Sequence, residues 1–398
     1  CLAGISKYHR RIWAMGNENW LKGWTIGFFE IEEGFHPRKK PAGYLSTTFW
    51  PTYYREMALY NANGESNRWA CSYSLGYPST WGVENSEQFY LWAQSLSMGF
   101  RYWMRDYQAE PQWFAWEEKH EQDLVKPRLC NDIGVFFPEQ SRDFAEDPGI
   151  PFQNWSGISE TLAWHNIPAD QLIRAHFDNP EMLSRFKMII VPSANFISDK
   201  MVTTLRNFVS NGGILLAVGE CINQDPFIVK NPSDLMMPIL GISEKMGWDD
   251  KPTSFKYNND LFIYKNGMML VKPLSTAKVL AEIKGRGPTI IENRIGKGKV
   301  LFFTGRWGSV MHNIPYQKGE KYRQTFNPGQ RQVFSRIVKK ELAGRMRVEA
   351  RNLPSKVMFN VYDTDGNFDG KYKRTLHILD SFDGYEPGEV FPLKNQPC

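Results

Sequence analysis

Residues 198–219, SDKMVTTLRNFVSNGGILLAVG, leave the chain few ways to fold. Val202, Leu205, Phe208 and Val209 recur at helical spacing and define one apolar face. Ser198 is placed to cap the orphan amides of the first turn, and Gly212 suits a left-handed residue at the C-terminal end. ILLAVG (214–219) then follows without polar alternation, as a strand buried on both faces requires. Two similar runs lie upstream, IGVFF (133–137) and MIIVPSA (188–194), the second read as stopping at Pro192. Between them SETLAWHNIPADQLI (159–173) reads as helix then turn. Strand, helix, strand, helix, strand with short links predicts a parallel sheet with right-handed crossovers and helices on both faces.

The flanking regions differ. Residues 1–128 are rich in Trp, Tyr and Phe, with candidate strands at Arg11–Met15, Trp24–Ile31, Arg68–Ser74 and Phe100–Met104 and a helix over Glu84–Ser97. That alternation suits a parallel α/β layer. Beyond 225 come short strands, then VLAEI (279–283), TIIENRIG (289–296) and KVLFFTG (299–305), with GKGK (296–299) at a tight turn. QRQVFSRIVKKELAG (330–344) is a helix closed by Gly344. MRVEA (346–350), KVMFNVYD (356–363) and RTLHILD (374–380) alternate apolar and polar residues, as in a small antiparallel β module.

Several function classes are disfavoured. Net charge is +5, spread without a run of five like charges, so a nucleic-acid groove is not expected. No apolar stretch of about 18 residues is present, so no membrane-spanning helix is expected. The five cysteines (1, 71, 130, 221 and 398) are widely spaced and suggest neither a disulfide framework nor a zinc site. The His residues show no metal-ligand spacing, GKGK lacks the Ser/Thr helix start of a phosphate loop, and no cofactor is expected. YDTDGNFDG (362–370) has three acids but no closing Glu, so it reads as a solvated turn. Asn154-Trp155-Ser156 fits a glycosylation triplet. The chain begins with Cys1, not Met, which fits a processed or truncated product, and the compartment stays open between cytoplasmic and periplasmic or secreted.

DNPEMLSRFKMIIVPSANFISDKMVTTLRNFVSNGGILLAVGE (178–220), together with GPTIIENRIGKGKVLFFTGRWG (287–308), resembles the trimerisation domain of family 42 glycoside hydrolases, the β-galactosidase type. The resemblance implies a glutamine-amidotransferase-like, flavodoxin-like domain over 129–345. It also implies a (β/α)8-type barrel segment over 1–128 and a small β domain over 346–398. SNRWACSYSLGYPSTWG (66–82) is similar to the seventh barrel strand and its loop. EQFYLWAQSLSMGFRYWMRDYQ (87–108) is similar to the next helix and the eighth strand. A homo-oligomer, a trimer in particular, and a carbohydrate substrate follow from the same resemblance.

Two features depart from the family. A complete barrel takes about 250 residues, and only about half that length precedes the sheet domain. The family's nucleophilic Glu ends the seventh strand, where this chain has Cys71-Ser72-Tyr73-Ser74. Retaining glycosidases need a carboxyl pair, one acid/base and one nucleophile. Asn17-Glu18 fits the Asn-Glu that ends the family's fourth strand, with Glu18 as acid/base and Asn17 on a sugar hydroxyl. Against this, Trp24–Ile31 begins too soon after Glu18 for a crossover helix, so the same stretch also fits a fifth strand with Glu18 incidental. Trp20, Trp81 and Trp103 are candidates for a sugar-stacking platform, and Arg105 and Asp106 for hydroxyl contacts. The alternatives are a carbohydrate-binding or assembly protein without the acid pair, and a Cys221-dependent amidohydrolase.

Overall fold

The computed structural model describes residues 32–34, 69–73, 101–103, 111–120, 128–129, 131–144, 147, 149–178, 180–224, 234–312, 326–350, 357–368 and 371–380. The fold is mixed α/β with a parallel-rich central sheet.

Three short strands come first: β1 (Glu32–Gly34), β2 (Trp69–Tyr73) and β3 (Arg101–Trp103). They pair in the order β1-β2-β3, every pair parallel. β2 and β3 fall where the aromatic runs predict them. β1 begins just past Trp24–Ile31, a stretch outside the described residues. Helix α1 (Pro111–Lys119) buries Trp113 and leaves Phe114 and Trp116 exposed. β4 (Arg128–Leu129) follows.

The central sheet uses β5 (Ile133–Phe136), β6 (Ala169–Leu172), β7 (Met188–Ala194) and β8 (Ile214–Cys221). Helix α2 (Gly149–Trp164) links β5 to β6, and α3 (Asp199–Ser210) links β7 to β8. Two small ribbons follow, built from β9 (Ile242–Asp249), β10 (Thr253–Tyr257), β11 (Asp260–Tyr264) and β12 (Met268–Pro273), with β10 on β11 and β9 on β12. β13 (Lys278–Ile283), β14 (Gly287–Ile295) and β15 (Gly298–Phe303) return to the sheet, which runs β13-β14-β15-β8-β7-β5-β6. From β15 to β6 every pairing is parallel, while β14 and β13 add antiparallel strands at one edge. Gly296, at φ +56°, makes the turn between β14 and β15.

Both faces are covered, as the apolar runs require. Met188, Ile190, Leu216 and Val218 enter a core closed by Trp155, Ile158 and Leu162 of α2. Their neighbours Ile189, Val191, Leu215 and Ala217 enter a second core closed by Val202, Leu205 and Val209 of α3. Each buried Val, Leu, Ile or Met among them contributes about 1.5–3 kcal/mol by leaving water. The predicted cap is present: the Met201 amide donates to Ser198 Oγ at 3.4 Å.

The structure corrects four readings. IPADQLI is not a turn, because its residues 169–172 form β6, the parallel partner of β5. Polar side chains hide this strand from a hydrophobicity reading. Asp170 pairs with Arg185 at 2.7 Å, and Gln171 accepts a bond from the Trp155 indole at 2.7 Å. β7 does not stop at Pro192 but continues to Ala194 across an irregularity opposite Val218–Cys221, where a missing amide is tolerated. Residues 346–350 are not a strand. Side-chain bonds hold that segment instead, with the Arg347 amide and Nε donating to the Asp132 carboxylate at 2.6 and 2.7 Å. Finally, Asp363 and Asp365 are not in a turn. They lie within β16 (Val357–Phe368), which pairs antiparallel with β17 (Lys371–Asp380) and also with β4. Helix α4 (Pro328–Glu341), capped by Asn327, packs beneath the sheet.

Candidate functional site

Of the residues the sequence singles out for sugar, only Trp103 is described. It ends β3 in register with Cys71 of β2, and Cys71 is in register with Glu32 of β1. Asn17, Glu18, Trp20, Trp81, Arg105 and Asp106 lie outside the described residues. The candidate seventh and eighth strands are therefore neighbours in one parallel sheet, and the same register row carries a carboxylate residue. Glu32 escaped the sequence reading because the preceding run was ended at Ile31. The acidic EIEEG (30–34) after an aromatic run was the available signal.

The carboxyl edge of the central sheet is the other place where a ligand could bind in such a fold. Several of the polar groups described there are engaged internally. Glu220, next to Gly219 at φ +71°, forms a bidentate ion pair with Arg306, whose guanidinium lies 4.1 Å from the centre of the Trp248 ring. Ser141 Oγ accepts the amides of Asn195 and Phe196 at 2.7 and 3.2 Å. Cys221 is corrected as a candidate nucleophile. It is buried, its Sγ donates to the Val191 carbonyl at 3.4 Å, and burial first, then Glu220 and Asp234, push the thiol up to about 12. A working thiolate needs the opposite environment.

A Ser, a His and a Glu do meet, under the sheet. Ser156 Oγ donates to Glu160 Oε1 at 2.9 Å and lies 2.6 Å from His312 Nδ1. The serine has one proton, so the imidazole must donate to it. Arg331 donates to Glu160 Oε2 and to the Met311 carbonyl. The Arg331 guanidinium also lies 3.6 Å from the Phe326 ring centre. Burial pushes the Glu160 carboxyl up, but the His312 hydrogen bond and the Arg331 charge outweigh it and hold it below the usual range. This is not a nucleophile set. The serine bonds both partners, so the histidine does not stand between serine and acid, and all four side chains are sealed from solvent. The cluster fastens α2, the turn Trp307–Val310 and α4 together. The glycosylation triplet lies in the same helix, with Asn154 fully buried, so it offers no acceptor on the folded surface. Among the described residues, no group of three His, Cys, Asp or Glu could hold a metal ion.

Residues 131–313 match the β-galactosidase trimerisation domain. No curated protein matches the chain. Among solved structures, the chain is similar to Gan42B, a GH42 β-galactosidase from G. stearothermophilus, at 14% identity over 87% of this chain and 53% of that one, TM-score 0.63. The cold-adapted β-galactosidase of Rahnella sp. R3 gives 14% identity over 91% and 58%, TM-score 0.64. An α-L-fucosidase from Paenibacillus thiaminolyticus gives 13% identity over 86% and 54%, TM-score 0.55. The chain thus spans a little over half the length of these structures, and at such identities the likeness is one of fold. The fold falls in the class shared by these glycoside hydrolases. More narrowly, residues 131–313 match the β-galactosidase trimerisation domain, and the fold is similar to those of GH42 β-galactosidases.

Proposed function

We propose that the protein is a glycoside hydrolase of β-galactosidase type that cleaves a β-linked galactoside or related oligosaccharide with two carboxylates. The observation that carries this reading is the match of residues 131–313 to the β-galactosidase trimerisation domain, preceded by three parallel strands. In this reading 1–128 is the barrel segment, 129–345 the assembly domain and 346–398 the β domain. The parallel strands β5, β6, β7, β8 and β15 lie in the spatial order 2-1-3-4-5 of flavodoxin-type sheets, which supports the middle assignment. Glu18 is the acid/base, Asn17 binds the neighbouring hydroxyl, Trp20, Trp81 and Trp103 form the platform, and Arg105 and Asp106 hold hydroxyls. The assembly is a homotrimer.

Hydrolysis of a panel of aryl β-glycosides and oligosaccharides tests the reading. Turnover that Glu18→Gln abolishes for poor leaving groups is expected, together with a trimer mass by light scattering. Absence of turnover on every β-glycoside contradicts it. A second reading, a carbohydrate-binding protein without catalysis, is favoured by one observation: β2, which stands where the family's nucleophile strand is expected, reads Trp-Ala-Cys-Ser-Tyr and has no carboxylate. Saturable sugar binding with no turnover would select it.

A further inference from the structure

The chain enters the central sheet through a strand that belongs to another sheet. β4 pairs antiparallel with β16, Leu129 opposite Tyr362 and Arg128 opposite Asp363, in the order β17-β16-β4. A strand that precedes the sheet domain thus completes a sheet whose other strands follow it. Little apolar packing holds this small sheet. Among the described residues, its own cluster is Phe359 and Val361 with Val348 and Ala350 against them, separate from the two large cores. Polar side chains fasten it instead. The Asp170 carboxylate can only accept, so the Asn131 amide nitrogen must face it, and Nδ2 donates to Asp170 Oδ1 at 2.7 Å. Asn131 Oδ1 is thereby turned to β16 and accepts the Val361 amide at 3.4 Å, while Nδ2 lies 3.5 Å from Asn360 Oδ1. One residue on, the Asp132 carboxylate accepts the Arg347 amide and Nε, and Arg347 Nη2 donates to the Arg185 carbonyl at 2.9 Å. Asn131, Asp132, Asp170 and Asn360 are all buried.

We propose that residues 128–132 and the strands β16 and β17 form a strap, closed over the amino-terminal edge of the central sheet by Asn131, that opens as one unit while the sheet stays folded. The proposal is independent of the glycosidase reading. Its two halves depend on each other. Among the described residues β4 pairs with β16 alone, and a strand of two residues cannot stand once β16 leaves. β16 in turn loses the Asn131 bonds once the linker leaves. The central sheet has its own two cores and needs neither half. Regions with few buried apolar contacts open at lower free energy than the cores beside them. Asn131 is therefore a positioning residue: it sets where the chain arriving from α1 meets the sheet domain, and it does so only while the C-terminal strands are in place.

Hydrogen exchange of the full chain, compared between the parent, Asn131→Leu and Asn360→Ala, tests this. Asn131→Leu leaves a buried acceptor on Asp170 unmet, so exchange is expected to quicken about ten-fold or more in 128–129 and in 357–362 alike. β7, β8 and α3 should keep the parent's rates, which shows that the variant folds. Asn360→Ala changes the C-terminal strand alone, yet it should quicken 128–129 as well as β16. That reciprocal effect is what a merely local role would not produce. Quickening confined to the mutated side, 128–129 in the first variant and 357–362 in the second, overturns the proposal. So does quickening of β7 and β8 in step with the strap, or unchanged exchange in both variants. Should Asn131→Leu not fold, Asn360→Ala decides by the same criteria.

Discussion

The central sheet and the sheet β1-β2-β3 share strand direction but little else. In the central sheet, the strands β5, β7, β8 and β15 are apolar runs buried on both faces, and four buried acids at its margins are engaged: Asp132 by Arg347, Asp170 by Arg185, Glu160 by Arg331 and Glu220 by Arg306. The three short strands spell Glu-Glu-Gly, Trp-Ala-Cys-Ser-Tyr and Arg-Tyr-Trp, polar and aromatic where the central strands are mainly aliphatic. The difference teaches where chemistry can sit. A carboxylate neutralised by a buried arginine is a fastener.

The contrast can be broken most forcefully at the buried cluster. Arg331→Met leaves the Glu160 charge uncompensated and is expected to cost about 3–5 kcal/mol in urea unfolding. Adding Glu160→Leu should recover much of that. A small loss in the single variant would show that the cluster is not a fastener.

Acid should weaken the same region next. Burial, then the charges of Lys339 and Arg331, push His165 down to about 4 from 6.5. Between those values the unfolded chain holds a proton that the folded chain does not, so stability is full above about pH 6.5 and drains as pH falls towards 4. The loss is on the order of 2 kcal/mol. The Glu160 carboxyl is held low, so its contribution drains further as pH falls through the carboxylate range. In His165→Gln the first part of the slope should flatten, which melts from pH 7 to 4 would show.

A smaller effect sharpens the comparison. Ser198→Ala removes the cap of α3 and is expected to cost about 1 kcal/mol.

The sheet domain was legible because its signals are local and agree. Apolar runs, the cap at Ser198 and the turn at Gly296 each specify the same elements. β6 was not legible, because Asp170 and Gln171 are buried only by virtue of Arg185 and Trp155, partners distant in sequence or hidden in another element. The same holds for the link from Asp132 to Arg347, which replaces the strand expected at 346–350. Register was the missing knowledge at the candidate site. No periodicity in the sequence says that Glu32 stands opposite Cys71, yet that pairing is what joins an acid to the row of Trp103.

Hydrogen exchange of the intact chain with and without a hydrolysis-resistant β-thiogalactoside tests the division between scaffold and site most directly. Slowed exchange in 32–34, 69–73 and 101–103, with β5, β7 and β8 unchanged, is the predicted result. Protection confined to the carboxyl edge of the central sheet around Glu220 and Arg306, or none at saturating sugar, would contradict it.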